Sequence, residues 1–237
     1  MLLMVGLAVW LGLSRRKKSY TEKNRVLIVA AILIDCIEIF KIVMLCVRNP
    51  EDVAGTILRN LPLFMCSIQL ISIPLAAFAK GKLKAAALDF VLLFGILGAV
   101  FGTIGAAQNY GAYPVLSMDN VFSGVTHCIS GFASLYIAIS GMSSLKKQNI
   151  PITFGIITGF CVLALIADYT IPYNYMFLRS HDGTPYSIFF NLFGTEAAFY
   201  QKFIYPFVVL LLFYLYIAAF YGVFFLIQNL RGKKKTQ

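Results

Sequence analysis

Asp35, Glu38 and Lys41 stand three residues apart inside an otherwise apolar run, residues 26 to 47 of a 237-residue chain. At about 100° per residue they occupy one side of a helix, an arc about 120° wide. An ionisable group in an apolar span is costly unless it faces the bundle interior and finds a partner, so each is a candidate for function. Their spacing also suits a packing ion pair between Glu38 and Lys41 with no chemical role, and both readings stay open. A second polar stripe, Asn120, Ser123, His127, Ser130 and Ser134, recurs at intervals of 3, 4, 3 and 4. His127 is its candidate general base, although an intramembrane His can equally be hydrogen-bonding glue. Cys66, with Gln69 one turn further on, is the candidate nucleophile. A Cys paired with a His is the chemistry of an activated thiolate: imidazole takes the thiol proton, sulfur attacks an acyl carbonyl, and a thioester follows. The competing reading of Cys66 is a small buried hydrophobe.

The elements that must position these groups follow from hydropathy. Apolar residues make up 59% of the chain and charged residues 13%, too few to solvate a soluble domain of this size. Seven apolar stretches, at about 1–13, 26–47, 61–79, 85–107, 121–142, 150–171 and 203–229, predict an all-α, polytopic transmembrane bundle forming a single domain over residues 1–237. The first stretch is short and is followed, not preceded, by Arg15, Arg16, Lys17 and Lys18, so it reads as a signal-anchor-like span and not a cleaved signal peptide. Pro74 lies inside the third stretch, while Gly98xxxGly102 and Gly155xxxGly159 are small-residue pairs suited to close helix packing.

The basic residues orient the bundle. Arg15, Arg16, Lys17, Lys18, Lys23, Arg25, Lys80, Lys82, Lys84, Lys146, Lys147, Arg231, Lys233, Lys234 and Lys235 fall in alternate connections, against Arg48, Arg59, Arg179 and Lys202 in the others. This asymmetry predicts an external N-terminus, a cytoplasmic C-terminus and an odd number of spans. The longest connection, 172–202, is then external, rich in aromatic residues, and suited to partial burial as a lid or re-entrant segment. The same topology puts Cys66 and His127 about 8 to 9 Å below the outer surface, at 1.5 Å per residue. Glu38, Lys41 and Asp168 approach the same outer layer, whereas Asp89 falls near the inner end of its span.

The net charge of +10 is dispersed in short clusters between apolar runs, which argues against nucleic-acid binding. Cys36, Cys46, Cys66, Cys128 and Cys161 are odd in number, lie within apolar runs and show no metal-ligand spacing, so neither a disulfide framework nor a metal site is expected. The chemistry proposed above needs no cofactor.

Several of these residues resemble the YwaF-like bacterial integral membrane proteins, relatives of the eukaryotic transmembrane protein 164 lipid acyltransferases. The resemblance is carried by Glu38 and Lys41, by Leu61-Pro62-Leu63-Phe64-Met65-Cys66-Ser67, by His127, and by Asn174-Tyr175-Met176-Phe177-Leu178. It covers nearly the whole chain and implies seven spans in a cell membrane, the bacterial plasma membrane for that branch. It also implies that Cys66 and His127 carry acyl transfer on phospholipids or lysophospholipids. Members commonly have a His two residues before the Cys, where Phe64 stands here.

The leading expectation is a membrane lipid acyltransferase or transacylase. Cys66 and His127 are its catalytic pair, and Glu38, Lys41, Asp168 and Gln69 are orienting or charge-stabilising groups. Asn174, Tyr175, Arg179, Ser123 and Ser130 are placed at the substrate. The alternative is a transporter or a solute- or lipid-binding protein whose polar outer cavity does no covalent chemistry. Neither expectation fixes an oligomeric state.

Overall fold

The computed structural model describes residues 1–103, 114, 116–143, 145–182, 184–194 and 197–233. The regular elements among these are helices, with no strand. Cα packing divides the chain into two compact units, Met1–Ser144 and Leu145–Gln237.

The first unit contains α1 (Leu2–Arg15), α2 (Tyr20–Arg48), α3 (Val53–Arg59), α4 (Gln69–Phe78), α5 (Gly81–Thr103) and α6 (Met118–Ser140). Local sequence explains most of these limits. Ser19 opens α2 with a capping box, its hydroxyl accepting from the Glu22 N–H while the Glu22 carboxylate accepts from the Ser19 N–H. Asn49-Pro50 closes it, since the residue before proline is pushed out of the helical region. Ser117 caps α6 at its start, and Gly141, at φ 71°, ends it in the left-handed region that glycine adopts without penalty.

Helix α6 lies at the centre of this unit, packed on α5, α1 and α2. The apolar core is built from Leu27, Ala31 and Ile34 of α2, Ile73 and Ala76 of α4, Leu88 and Val91 of α5, and Ala133 and Ile137 of α6. Polar ties fix the helix ends. The Tyr136 hydroxyl donates to the Lys23 carbonyl at 3.0 Å, and Asn24 and Lys84 both donate to the Ala77 carbonyl, satisfying an otherwise orphaned group at the end of α4. Asp89 is fully buried and accepts from the Ser143 hydroxyl.

In the second unit, α7 (Ile150–Thr170) and α9 (Tyr205–Lys233) pack together, joined by a segment that holds the one-turn α8 (Ser187–Phe190). The Thr158 and Tyr214 hydroxyls meet at 2.5 Å, and Phe154 stacks on Tyr214 at 4.6 Å. A π-helical turn, Tyr200–Ile204, leads into α9. Pro206 has no N–H to offer the Lys202 carbonyl one turn back, and the Tyr169 hydroxyl donates to that carbonyl instead, at 3.4 Å.

Among the described residues, four helical segments are long and apolar enough to cross a membrane: Gly81–Thr103, Met118–Ser140, Lys147–Thr170 and Tyr200–Leu230. α1 and α4 are apolar but shorter, at 14 and 10 residues. α2 is 29 residues long and carries Asp35, Glu38 and Lys41 along its middle.

Candidate active site

Cys66 lies in the turn that opens α4. This turn is closed by Ser67, whose hydroxyl accepts from the Phe64 N–H at 3.1 Å, and by the Ile68 N–H, which donates to the Phe64 carbonyl at 2.9 Å. The Ser67 N–H also donates to the Phe64 carbonyl, at 3.0 Å. The start of a helix favours negative charge, such as a thiolate, close to it. Cys66 is exposed.

His127 comes from α6 and is seated by a glycine. A Cβ built on Gly102 would fall 2.2 to 2.4 Å from the ring atoms Cε1, Nε2 and Nδ1, so the imidazole occupies the space of a side chain at that position. One turn earlier on α5, a Cβ on Gly98 would lie 3.8 Å from the Cys66 Cα and 3.9 Å from the Ser130 Oγ. Cys66 and His127 therefore lie against consecutive turns of one helix face, about 6 Å apart along its axis at 1.5 Å per residue. The contact continues to Gly95, where Ser130 donates to the glycine carbonyl at 3.3 Å and Ser134 donates to the Leu92 carbonyl at 2.6 Å. The polar stripe of α6 thus lies on the glycine stripe of α5. His127 is buried and makes no hydrogen bond to a described residue.

Helix α2, which packs on α4 and α6, carries a second set of polar groups. The Lys41 Nζ sits 2.5 Å from the Glu38 Oε1, with both side chains largely buried. Phe40 packs on Phe122 at 5.5 Å, holding α2 against α6 beside the pair. Ser123 is half-buried one turn before His127, and Asp35 is half-buried one turn before Glu38. Gln69 is fully buried; its Oε1 accepts from the Ser72 hydroxyl at 3.0 Å, while its Nε2 donor has no partner.

Asp168, Asn174, Tyr175 and Arg179 form a cluster of their own in the second unit. The Asp168 Oδ1 accepts from the Tyr175 N–H at 2.6 Å, its Oδ2 is buried without a partner, and the Arg179 guanidinium donates to the Asp168 carbonyl at 2.6 Å. The Asn174 amide donates to the Ser180 carbonyl and to Asp182, and its oxygen accepts from the Arg179 N–H. Asn174 is thereby the hub that folds residues 174–182 onto the end of α7, with Tyr175, Met176 and Leu178 buried beneath.

The sequence showed the two small-residue pairs as equivalent, but their surroundings differ. Gly102 seats the His127 ring and Gly98 lies within ordinary contact distance of Cys66 and Ser130, whereas a Cβ on Gly155 or Gly159 would meet nothing within 4 Å. The place of Gly102 beneath the His127 ring had no sequence signal beyond its small size. Among the described residues, no group of three His, Cys, Asp or Glu side chains is placed to hold a metal ion.

No curated protein and no solved structure matches the chain. The model of the TMEM164 family matches residues 1–221, and with nearly the whole sequence covered, the chain belongs to that family of membrane proteins.

Proposed function

We propose that the chain is a multi-pass membrane lipid acyltransferase with Cys66 as nucleophile and His127 as proton carrier. The observation that carries this reading is the placing of Cys66 and His127 against consecutive turns of the α5 glycine face. In the first half-reaction, His127 takes the Sγ proton and the thiolate attacks the ester carbonyl of a phospholipid. The start of α4 favours the negative charge that develops beside it. The ester C–O bond breaks, the imidazolium returns its proton to the departing lysolipid oxygen, and the acyl group remains on sulfur. In the second half, a lysolipid hydroxyl gives its proton to His127 and attacks the thioester. The proton then returns to sulfur as the thiol leaves. No cofactor enters either half.

The Lys41 ammonium, paired with Glu38, is suited to a lipid phosphate or to the thiolate. Seven spans, an external N-terminus, a cytoplasmic C-terminus and a bacterial plasma membrane belong to this reading, with residues 172–202 as an external lid. The buried Glu38–Lys41 ion pair gives the transport reading its own support, since such pairs line ion and solute paths in membranes.

Turnover of a labelled lysolipid in proteoliposomes tests the proposal. Cys66→Ala is expected to abolish it, and Cys66→Ser to lower it at least a hundredfold. Labelling of Cys66 by a lipid-like electrophile should fall in His127→Gln. Full turnover in Cys66→Ala would remove the nucleophile. Solute flux lost in Glu38→Gln but kept in Cys66→Ala would establish the transporter.

A further inference from the structure

The turn between α1 and α2 carries a groove that the acyl-transfer reading does not use. Arg15, Glu22, Arg25, Val26 and Val29 line a depression of about 200 Å³ on the surface of the first unit. Its two ends differ in chemistry. At the mouth, Glu22 is already engaged by the Ser19 cap and lies 3.9 Å from the Arg15 guanidinium. Arg25, by contrast, makes no hydrogen bond or ion pair with any described residue. Arg16, Lys17, Lys18 and Lys23 adjoin these residues in the sequence, and Glu22 is the single carboxylate among six cations between residues 15 and 25. At the other end the floor becomes apolar. Val29 is 55% exposed and continues along α2 into Ile32, Leu33, Phe40 and Val43, all roughly half exposed.

A site with an unpartnered guanidinium at one end and an apolar ridge leading away from it matches an amphiphile with an anionic head. Arg15 and Arg25 provide forked donors for a phosphate, and the excess positive charge disfavours a zwitterionic head relative to an anionic one. From Val29 to Val43 the ridge rises about 21 Å at 1.5 Å per residue, enough for one acyl chain. We propose that this groove is a binding site for an anionic phospholipid, with the head phosphate between Arg15 and Arg25 and a chain laid along Val29, Ile32 and Leu33. The site is independent of Cys66 and His127.

Native mass spectrometry of the full chain in detergent, with added phosphatidylglycerol, phosphatidylcholine or soluble glycerol phosphate, tests it. The expected result is retention of phosphatidylglycerol about tenfold above phosphatidylcholine, with no binding of glycerol phosphate. Arg15→Gln/Arg25→Gln should abolish that preference, while Lys17→Gln/Lys18→Gln, which removes the same charge beside the groove, should leave it within about twofold. Equal losses in the two double variants would reduce the effect to diffuse charge and overturn the groove. Binding of glycerol phosphate as tight as that of the lipid would make it a soluble phosphate site, which also overturns the proposal. Lipid-free melting temperatures of both variants, compared with the parent, separate lost binding from lost folding. If the double variant of Arg15 and Arg25 does not fold, Val29→Asp places a charge on the chain path alone, and retention unchanged in that variant likewise overturns it.

Discussion

At the residue scale, the glycines of α5 matter as much as the groups they seat. Gly102→Ala puts a methyl into the His127 ring position, and the ring cannot remain where it is at a separation near 2.2 Å. Lysolipid turnover should fall at least tenfold, with electrophile labelling of Cys66 losing its dependence on His127. Gly155→Ala, which meets open space, should leave turnover and melting temperature unchanged. The Glu38–Lys41 pair makes a different prediction. Lys41→Met strands a buried carboxylate, and removing one partner of such a pair is expected to destabilise by about 3 kcal/mol. Adding Glu38→Leu should restore most of the stability, because the uncompensated charge is gone, but not the turnover. Denaturation midpoints and activity of the two single variants and the double variant check this. Recovery of both together would make the pair purely structural.

At the element scale, the start of α2 is held by charge. Hydrogen bonds from the Ser19 hydroxyl and backbone N–H, aided by Lys18 and Arg15, hold the Glu22 carboxyl below its usual range. A carboxyl depressed in the folded state stabilises above its unfolded pKa, about 4.3, and that contribution disappears as pH falls through the lower folded value. Amide exchange at the first turn of α2 should therefore be slow at neutral pH and accelerate, relative to the second turn, below about pH 4. Glu22→Gln should exchange faster at neutral pH and lose this acid-dependent step. A step that survives the substitution would assign it to another group. Other helix limits rest on comparably local signals, as at Asn49-Pro50 and Gly141. The exception is the π-helical entry to α9, where Pro206 acts on a carbonyl one turn back.

At the scale of the whole molecule, the distribution of Lys and Arg makes the remaining prediction. Cysteines introduced at Asn49 and Gln148, in a chain otherwise free of cysteine, should react differently with an impermeant maleimide in intact cells. The Asn49 site should be labelled and the Gln148 site protected until the membrane is opened; the reverse pattern would invert the orientation. By itself, the sequence determined the helical class and the apolar segments, because in hydrocarbon every backbone polar group must be satisfied within its own segment. It also determined the polar faces of α2 and α6, since helical periodicity alone puts Glu38 beside Lys41, and His127 in line with Ser130 and Ser134. It did not distinguish Gly98 and Gly102 from Gly155 and Gly159, nor show that Asn174 is occupied in folding its own loop. Only the tertiary structure decided those points. What a glycine admits, or an amide engages, depends on the atoms other elements bring against it, and helical spacing carries no record of them.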